Sequence, residues 1–270
     1  MSSSQQAVRT ADGVWIHYDV MGKGKPSLVM VHGWSCDRGY WELQRRVFSR
    51  RYQVVTIDMA GHGHSGTHRS EWSVSAFGKD IVTVIERLGL DEVILIGHSM
   101  GGRWIVEAAR RLPASVVGLI SLDTWADIGN TQSPDQVKTK LAPFFSNFAE
   151  ATRAFVSSMF VPTSDPKLVK KVMAAMSKVS PDIALSVAES GWSSDIRIQQ
   201  GLDELKMPKI AINSAWRPTD RCAARRYGIE IELMPRVGHF MMLEDPATFN
   251  CLLEKSIEKC VSRKFDNSLK

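Results

Sequence analysis

Apolar residues recur along this chain in two rhythms, as short β-rich runs and as longer stretches with helical spacing. Ala7–Thr10 and Val14–Val20 flank Ala11-Asp12-Gly13 and read as an opening hairpin that turns at Asp-Gly. Ser27–Val31 and Gln53–Asp58 are apolar runs ending in Gly-containing loops, as buried parallel strands do. Tyr40–Arg50 has helical spacing between them. So has Ser73–Leu88, where Val74, Phe77, Ile81, Val84, Ile85 and Leu88 share one face. A strand at Glu92–Ile96, a helix at Met100–Leu112 and a strand at Val116–Leu122 follow. This alternation predicts an α/β protein with a doubly wound sheet and helices on both faces.

The rhythm changes at Ala126. From there to Lys206 no strand pattern occurs, and helical segments follow one another at Pro134–Phe145, Phe148–Met159, Pro166–Met176 and Pro181–Trp192. Residues 126–206 are therefore expected to form an α-helical cap inserted into a core made of residues 1–125 and 207–270. The core resumes with a strand at Lys209–Asn213, a helix near Asp220–Tyr227, a strand at Glu230–Met234 and a closing helix at Pro246–Val261. The strands then number eight, in a mostly parallel sheet. The first few residues of the polar start, Met1 to Gln6, are expected to fray, and the polar tail after Arg263 is expected to be loose.

Length and composition narrow the picture. At 270 residues the chain can bury one sizeable core with a small insertion. No apolar run approaches the roughly 18–20 residues of a membrane span, and no signal-peptide stretch follows the N-terminus. A cytoplasmic protein without a membrane partner is expected. The net charge is +5, but the basic clusters are short and sit within amphipathic helical patterns, which usually mark solvated faces. A nucleic-acid partner is not expected, and the partner is expected to be a small-molecule substrate. The four cysteines, Cys36, Cys222, Cys251 and Cys260, have neither CxxC nor zinc-ligand spacing. They are expected to be free thiols, Cys36 as a packing residue, and neither a metal nor an organic cofactor is implied.

Three motifs carry the chemistry. Gly97-His98-Ser99-Met100-Gly101-Gly102 fits G-x-S-x-G and stands between a strand and a helix, the context in which that motif exposes a nucleophilic serine. Val31-His32-Gly33-Trp34 follows another strand. Its turn allows the backbone N–H of Trp34 to join that of Met100 as an oxyanion hole, while His32 itself is read as structural. Gly238-His239-Phe240 lies after the last strand. Of the seven histidines only His239 combines a position after the serine with a loop that can reach it, so His239 is the expected general base.

With Asp58-Met59-Ala60-Gly61-His62-Gly63-His64-Ser65, these motifs closely resemble the α/β-hydrolase superfamily, in its serine-nucleophile esterase and lipase-like branch with a helical cap. The resemblance spans nearly the whole chain except the cap. It implies a structural loop at 58–65, so Asp58, His62 and His64 are read as non-catalytic. It also implies a triad acid just after the strand that resumes the core, but that stretch reads Asn213-Ser214-Ala215-Trp216-Arg217-Pro218-Thr219-Asp220, with no acid at once after the strand. Some members of the superfamily draw the acid from the end of the sixth strand instead, where Asp123 stands. Asp123 is the first choice, with Asp220, another acid such as Asp127, or a Ser–His dyad as alternatives.

The expected reaction is hydrolysis of a small to medium carboxylic ester or lactone through an acyl-enzyme on Ser99. Carbon–carbon bond hydrolysis, acyl transfer and perhydrolysis would use the same residues, and a non-catalytic receptor would use the same fold. The Phe and Met residues of the cap, from Phe144 to Met176, are read as cap core. Trp34, Trp125 and Trp216 are placed on loops facing the site, where they could line an apolar pocket.

Overall fold

The computed structural model describes residues 4–268. β1 (Ser4–Arg9) and β2 (Trp15–Met21) form the opening antiparallel hairpin. β3 (Ser27–Val31), β4 (Val54–Ile57), β5 (Val93–His98), β6 (Val116–Leu122), β7 (Lys209–Ser214) and β8 (Ile229–Met234) run parallel to one another. The eight strands lie in the order β1-β2-β4-β3-β5-β6-β7-β8, with β2 antiparallel to β4. β3 to β7 are buried at every position, which is why they read as unbroken apolar runs.

The helices are α1 (Glu42–Phe48), α2 (Val74–Arg87), α3 (Gly101–Arg111), α4 (Pro134–Ser146), α5 (Phe148–Ser157), α6 (Pro166–Met176) and α7 (Pro181–Trp192). They continue as α8 (Asp195–Glu204), α9 (Arg221–Arg226), α10 (Met241–Glu244) and α11 (Pro246–Ser268). Their starts are written in the sequence. Ser73 caps α2 by accepting from the Ala76 N–H, and Ser133 and Gln136 close a capping box on α4. Proline occupies the first turn of α4, α6 and α7, where its missing N–H costs nothing.

The sheet order sets the position of the site. From β3 the chain moves one way to β4, then crosses to β5 and continues outward to β8. β3 and β5 are therefore neighbours at which the winding reverses, and the crevice outside their carboxyl ends is where such sheets bind ligands. Gly33-Trp34 leaves β3 there, and Ser99 leaves β5.

Four features depart from the pattern of apolar positions. The polar residues Ser4 to Gln6 belong to β1, paired with Tyr18–Val20, and Met1 to Ser3 lie outside the described residues. The closing helix runs beyond Val261 to Ser268, so the backbone after Arg263 is helical up to there, with 269–270 outside the described residues. Tyr40–Arg50 divides into a 3-10 turn at Arg38–Trp41 and α1. Finally, α8 and α10 are helices beyond those expected from the sequence, and α8 buries Ile198, Gly201 and Leu202 on one face. α8 rides on α3: Arg197 pairs with the fully buried Glu107 at 2.7 Å, and Arg103 with Asp195 at 2.7 Å. We propose that the cap proper comprises α4–α7 and that the core resumes with α8.

Candidate active site

Ser99 sits in the left-handed region, with φ of 53°, at the turn from β5 into α3. The turn is locked from both sides. The Ser99 N–H donates to the Leu122 carbonyl at 2.9 Å, and the Ser99 carbonyl accepts from the Gly102 N–H at 2.9 Å and from Thr124 Oγ1 at 2.7 Å. The flanking glycines are dictated by space. A Cβ on Gly97 would lie 2.5 Å from the Gly101 carbonyl oxygen, and one on Gly101 would lie 2.5 Å from that of His32. The strained turn lifts the serine out of the sheet edge.

Asp123 leaves the end of β6, also with a left-handed φ, 52°, and its N–H donates to the Ile212 carbonyl of β7 at 3.0 Å. Its carboxylate is divided between two partners. Oδ1 accepts from the Ser214 N–H at 3.0 Å, and Oδ2 accepts from His239 Nδ1 at 2.7 Å. The two side chains are only 5% and 10% exposed, so the pair is shielded from competing water. Because Nδ1 donates to the acid, Nε2 of a neutral imidazole is left without a proton and can accept one. The His239 loop is braced by Ser214 Oγ, which donates to the Val237 carbonyl at 2.6 Å, and from the helical insertion by the Met159 carbonyl, which accepts from the His239 N–H at 2.7 Å. His239 itself is buried.

Ser99, His239, Trp34 and Met100 line one pocket. Ser99 Oγ forms no hydrogen bond among the described residues, so the contact between serine and imidazole is open in this structure. Such contacts are often long without a substrate. The backbone N–H groups of Trp34 and Met100 likewise donate to no protein acceptor among the described residues.

The other candidate acids do different work. Asp220 caps α9, with Oδ1 accepting from the N–H groups of Cys222 and Ala223 at 3.0 and 2.9 Å. Asp127 acts electrostatically on Lys140. Asp58 is buried at the end of β4, pairs with Arg38, and accepts from the N–H groups of Arg38 and His64 at 2.8 and 2.9 Å.

Three other histidines are buried around the site and hold loops. His32 Nε2 accepts from the Met59 N–H at 3.0 Å, and His62 Nε2 accepts from the Ser35 N–H at 3.1 Å. His98 donates from Nε2 to the His239 carbonyl at 3.0 Å, with the two rings 4.7 Å apart. Burial disfavours the charged form of all three. It pushes His62 down to about 3, with His32 adding to the effect, and lowers His32 and His98. Among the described residues no three His, Cys, Asp or Glu side chains gather as a metal site.

The pocket wall corrects two sequence expectations. Trp34 is in it, but Trp125 is buried elsewhere and Trp216 is 55% exposed. Their place is taken by Trp192 at the end of α7. Several residues read as cap core, Phe155, Met159 and Met176, also line the pocket, together with Cys36 and Phe240. The Trp34 ring meets Phe144 and Phe155 edge-on at 5.7 and 5.8 Å, and its indole Nε1 donates to the Ala184 carbonyl of α7 at 2.7 Å. All four cysteines are free, with Cys36 and Cys260 buried.

Comparison with known proteins agrees with this arrangement of strands and helices. The family described as alpha/beta hydrolase fold matches residues 26–202. The chain belongs to the α/β-hydrolase family. This α/β-hydrolase is 25% identical over 268 residues to 3-oxoadipate enol-lactonase 2 of Acinetobacter baylyi, an alignment covering 93% of this chain and 96% of that one. Among solved structures, an esterase from Exiguobacterium antarcticum has a TM-score of 0.83 at 21% identity, covering 94% of this chain and 100% of that one. Est816, described as an N-acyl homoserine lactone degrading enzyme, has a TM-score of 0.80 at 24% identity, covering 93% and 99%. At these identities the two structures speak to the fold of the α/β-hydrolase. No described helix is long and apolar enough to cross a membrane.

Proposed function

We propose that this α/β-hydrolase is a serine hydrolase that cleaves a carboxylic ester or lactone through an acyl-enzyme on Ser99. The observation that carries this reading is the 2.7 Å bond between Asp123 Oδ2 and His239 Nδ1, in the pocket that Ser99 lines. It orients the imidazole with Nε2 as the proton acceptor and stabilises the imidazolium that forms. His239 takes the Ser99 hydroxyl proton as Oγ attacks the substrate carbonyl. The developing oxyanion is received by the N–H groups of Trp34 and Met100, each such donor contributing about 3 kcal/mol in comparable sites. His239 then delivers the proton to the leaving alkoxide. In the second step it takes a proton from water, which attacks the acyl carbonyl, and returns it to Ser99 Oγ.

The relatives support the reaction class, since an enol-lactonase aligns along almost the whole chain and an esterase shares the fold. A serine at the elbow points away from those branches of the fold that place an Asp there, the dehalogenases and epoxide hydrolases. The test is release of p-nitrophenol from short acyl esters by the protein and by Ser99→Ala and His239→Ala. Loss of turnover by several orders of magnitude in both folded variants is expected. Folded protein that turns over no ester and no lactone would contradict the proposal.

A further inference from the structure

The free space over Ser99 is only about 30 Å³, room for about two waters, and is too small for a chain of several carbons. Larger clefts adjoin it on one side. A cleft of about 400 Å³ shares Cys36 with the catalytic pocket and lies between the loop after β3 and the turn from α6 to α7. A second cleft of about 210 Å³ shares Asp37 and Ala175 with the first and is otherwise mostly apolar. The buried Cys36 lines both the pocket and the first cleft, and the buried Met176 lines the pocket next in sequence to Ala175, which lines both clefts.

The sheet order gives the substrate a direction. His239 and Asp123 reach Ser99 from the side of β6 to β8, whereas Cys36 and the first cleft lie on the side of β3 and β4, and the second cleft runs from there to Leu243 of α10. The leaving group must receive its proton from His239, so it lies toward β6 to β8. The acyl chain then points toward β3 and β4. There the clefts carry Lys178 and Lys171, neither of which forms an ion pair among the described residues. The carboxylate in their walls is Asp37, whose Oδ1 already accepts from the Gly39 N–H at 2.7 Å. The buried hydroxyl of Ser35, also in the wall, has no hydrogen-bond partner among the described residues.

We propose that the acyl chain of the substrate passes Cys36 and Met176 into these clefts and ends in a carboxylate received by Lys178 and Lys171. The inference rests on the serine-hydrolase reading and adds to it a substrate class, esters or lactones whose acyl part is ω-carboxylated.

The test compares kcat/KM for the p-nitrophenyl half-ester of adipic acid with that for p-nitrophenyl hexanoate. It uses the full-length protein and its Lys171→Gln, Lys178→Gln and double variants. The ratio is expected to favour the half-ester, and to fall about threefold in each single variant and about tenfold in the double variant. Added salt should shrink it. A ratio unchanged in the double variant would overturn the proposal. So would a lysine dependence found instead when the carboxylate is on the leaving group, as in 4-carboxyphenyl against phenyl hexanoate. Calorimetry of monomethyl adipate against methyl hexanoate on Ser99→Ala decides tail recognition without turnover. A lysine-dependent preference for the acid supports the proposal, and equal binding overturns it. Absence of turnover on all these esters would instead count against the serine-hydrolase reading.

Discussion

Ser214 donates its backbone N–H to Asp123 Oδ1 at 3.0 Å, so the end of β7 orients the acid that β6 supplies to His239. Ser214 belongs to the stretch in which family resemblance led us to look for the acid itself. The two strand ends cooperate, and the carboxylate comes from the neighbouring strand. Asp123→Asn should keep the fold and lower kcat by about 10⁴-fold, because the imidazole tautomer is no longer fixed. Asp220→Ala should leave kcat unchanged and cost about 1 kcal/mol of stability through the lost cap on α9. Steady-state ester hydrolysis with thermal melts of both variants checks the pair. A large kcat loss in Asp220→Ala would transfer the acid role.

The indole of Trp34 ties the loop after β3, the proposed oxyanion loop, to α7 through Ala184. Trp34→Phe preserves an aromatic ring against Phe144 and Phe155 but removes the donor. A loss of about 1 kcal/mol is expected, seen as a fall in Tm of about 2–4 °C. kcat on a short ester should fall as well, with little change in KM, because the loop that presents the Trp34 N–H is released. An unchanged kcat would separate the loop's position from this bond.

His32, His62 and His98 are held neutral in the folded protein, with pKa values depressed by burial. In the unfolded chain each takes up a proton below about pH 6.5. A group with a depressed folded pKa contributes stability that is present above its unfolded value and is lost as pH falls. For His62 the window runs from about 6.5 down to about 3. Each such histidine should cost roughly 1.4 kcal/mol per pH unit within its window. Urea midpoints at pH 7.5, 6 and 5 should therefore fall steeply, and less steeply in His62→Asn. A flat profile would contradict the assignment.

Glu107 is fully buried on α3 and receives Arg197 from α8 as well as Arg110 from its own helix. Glu107→Ala leaves Arg197 without its carboxylate and removes one of the ties between α8 and α3, the Arg103–Asp195 pair remaining. A loss of about 2 kcal/mol is expected by denaturant unfolding, since the half-exposed Arg197 returns to water once Glu107 is gone. A loss below about 1 kcal/mol would show that apolar packing, not the ion pair, holds α8.

Strands and most helices were legible because their burial has a simple period. β3 to β7 are buried throughout and read as unbroken apolar runs, and α2 buries one clean stripe. α8 was missed although Ile198 and Leu202 are buried one turn apart, because the charged residues around them, Asp195 and Arg197 among them, join it to α3 and make the stretch polar as a whole. Ser4 to Gln6 were not legible because they are held by backbone pairing to β2. In the site, Ser99 and His239, which line one pocket and which we propose as nucleophile and base, were singled out by motif and order. The acid was narrowed to a few residues, since an Asp at a strand end and an Asp at a helix start look alike until their hydrogen bonds are known. Trp192 was missed because periodicity in α7 marks buried positions and cannot tell a packed interior from a pocket wall.

The most direct test of the central claim is the intact mass of the protein after reaction with a fluorophosphonate, followed by peptide mapping. One adduct per chain on Ser99 is expected, absent from Ser99→Ala and formed much more slowly by His239→Ala. A folded protein that forms no adduct, or one that is labelled equally well without Ser99, would contradict the assignment of Ser99 as the nucleophile.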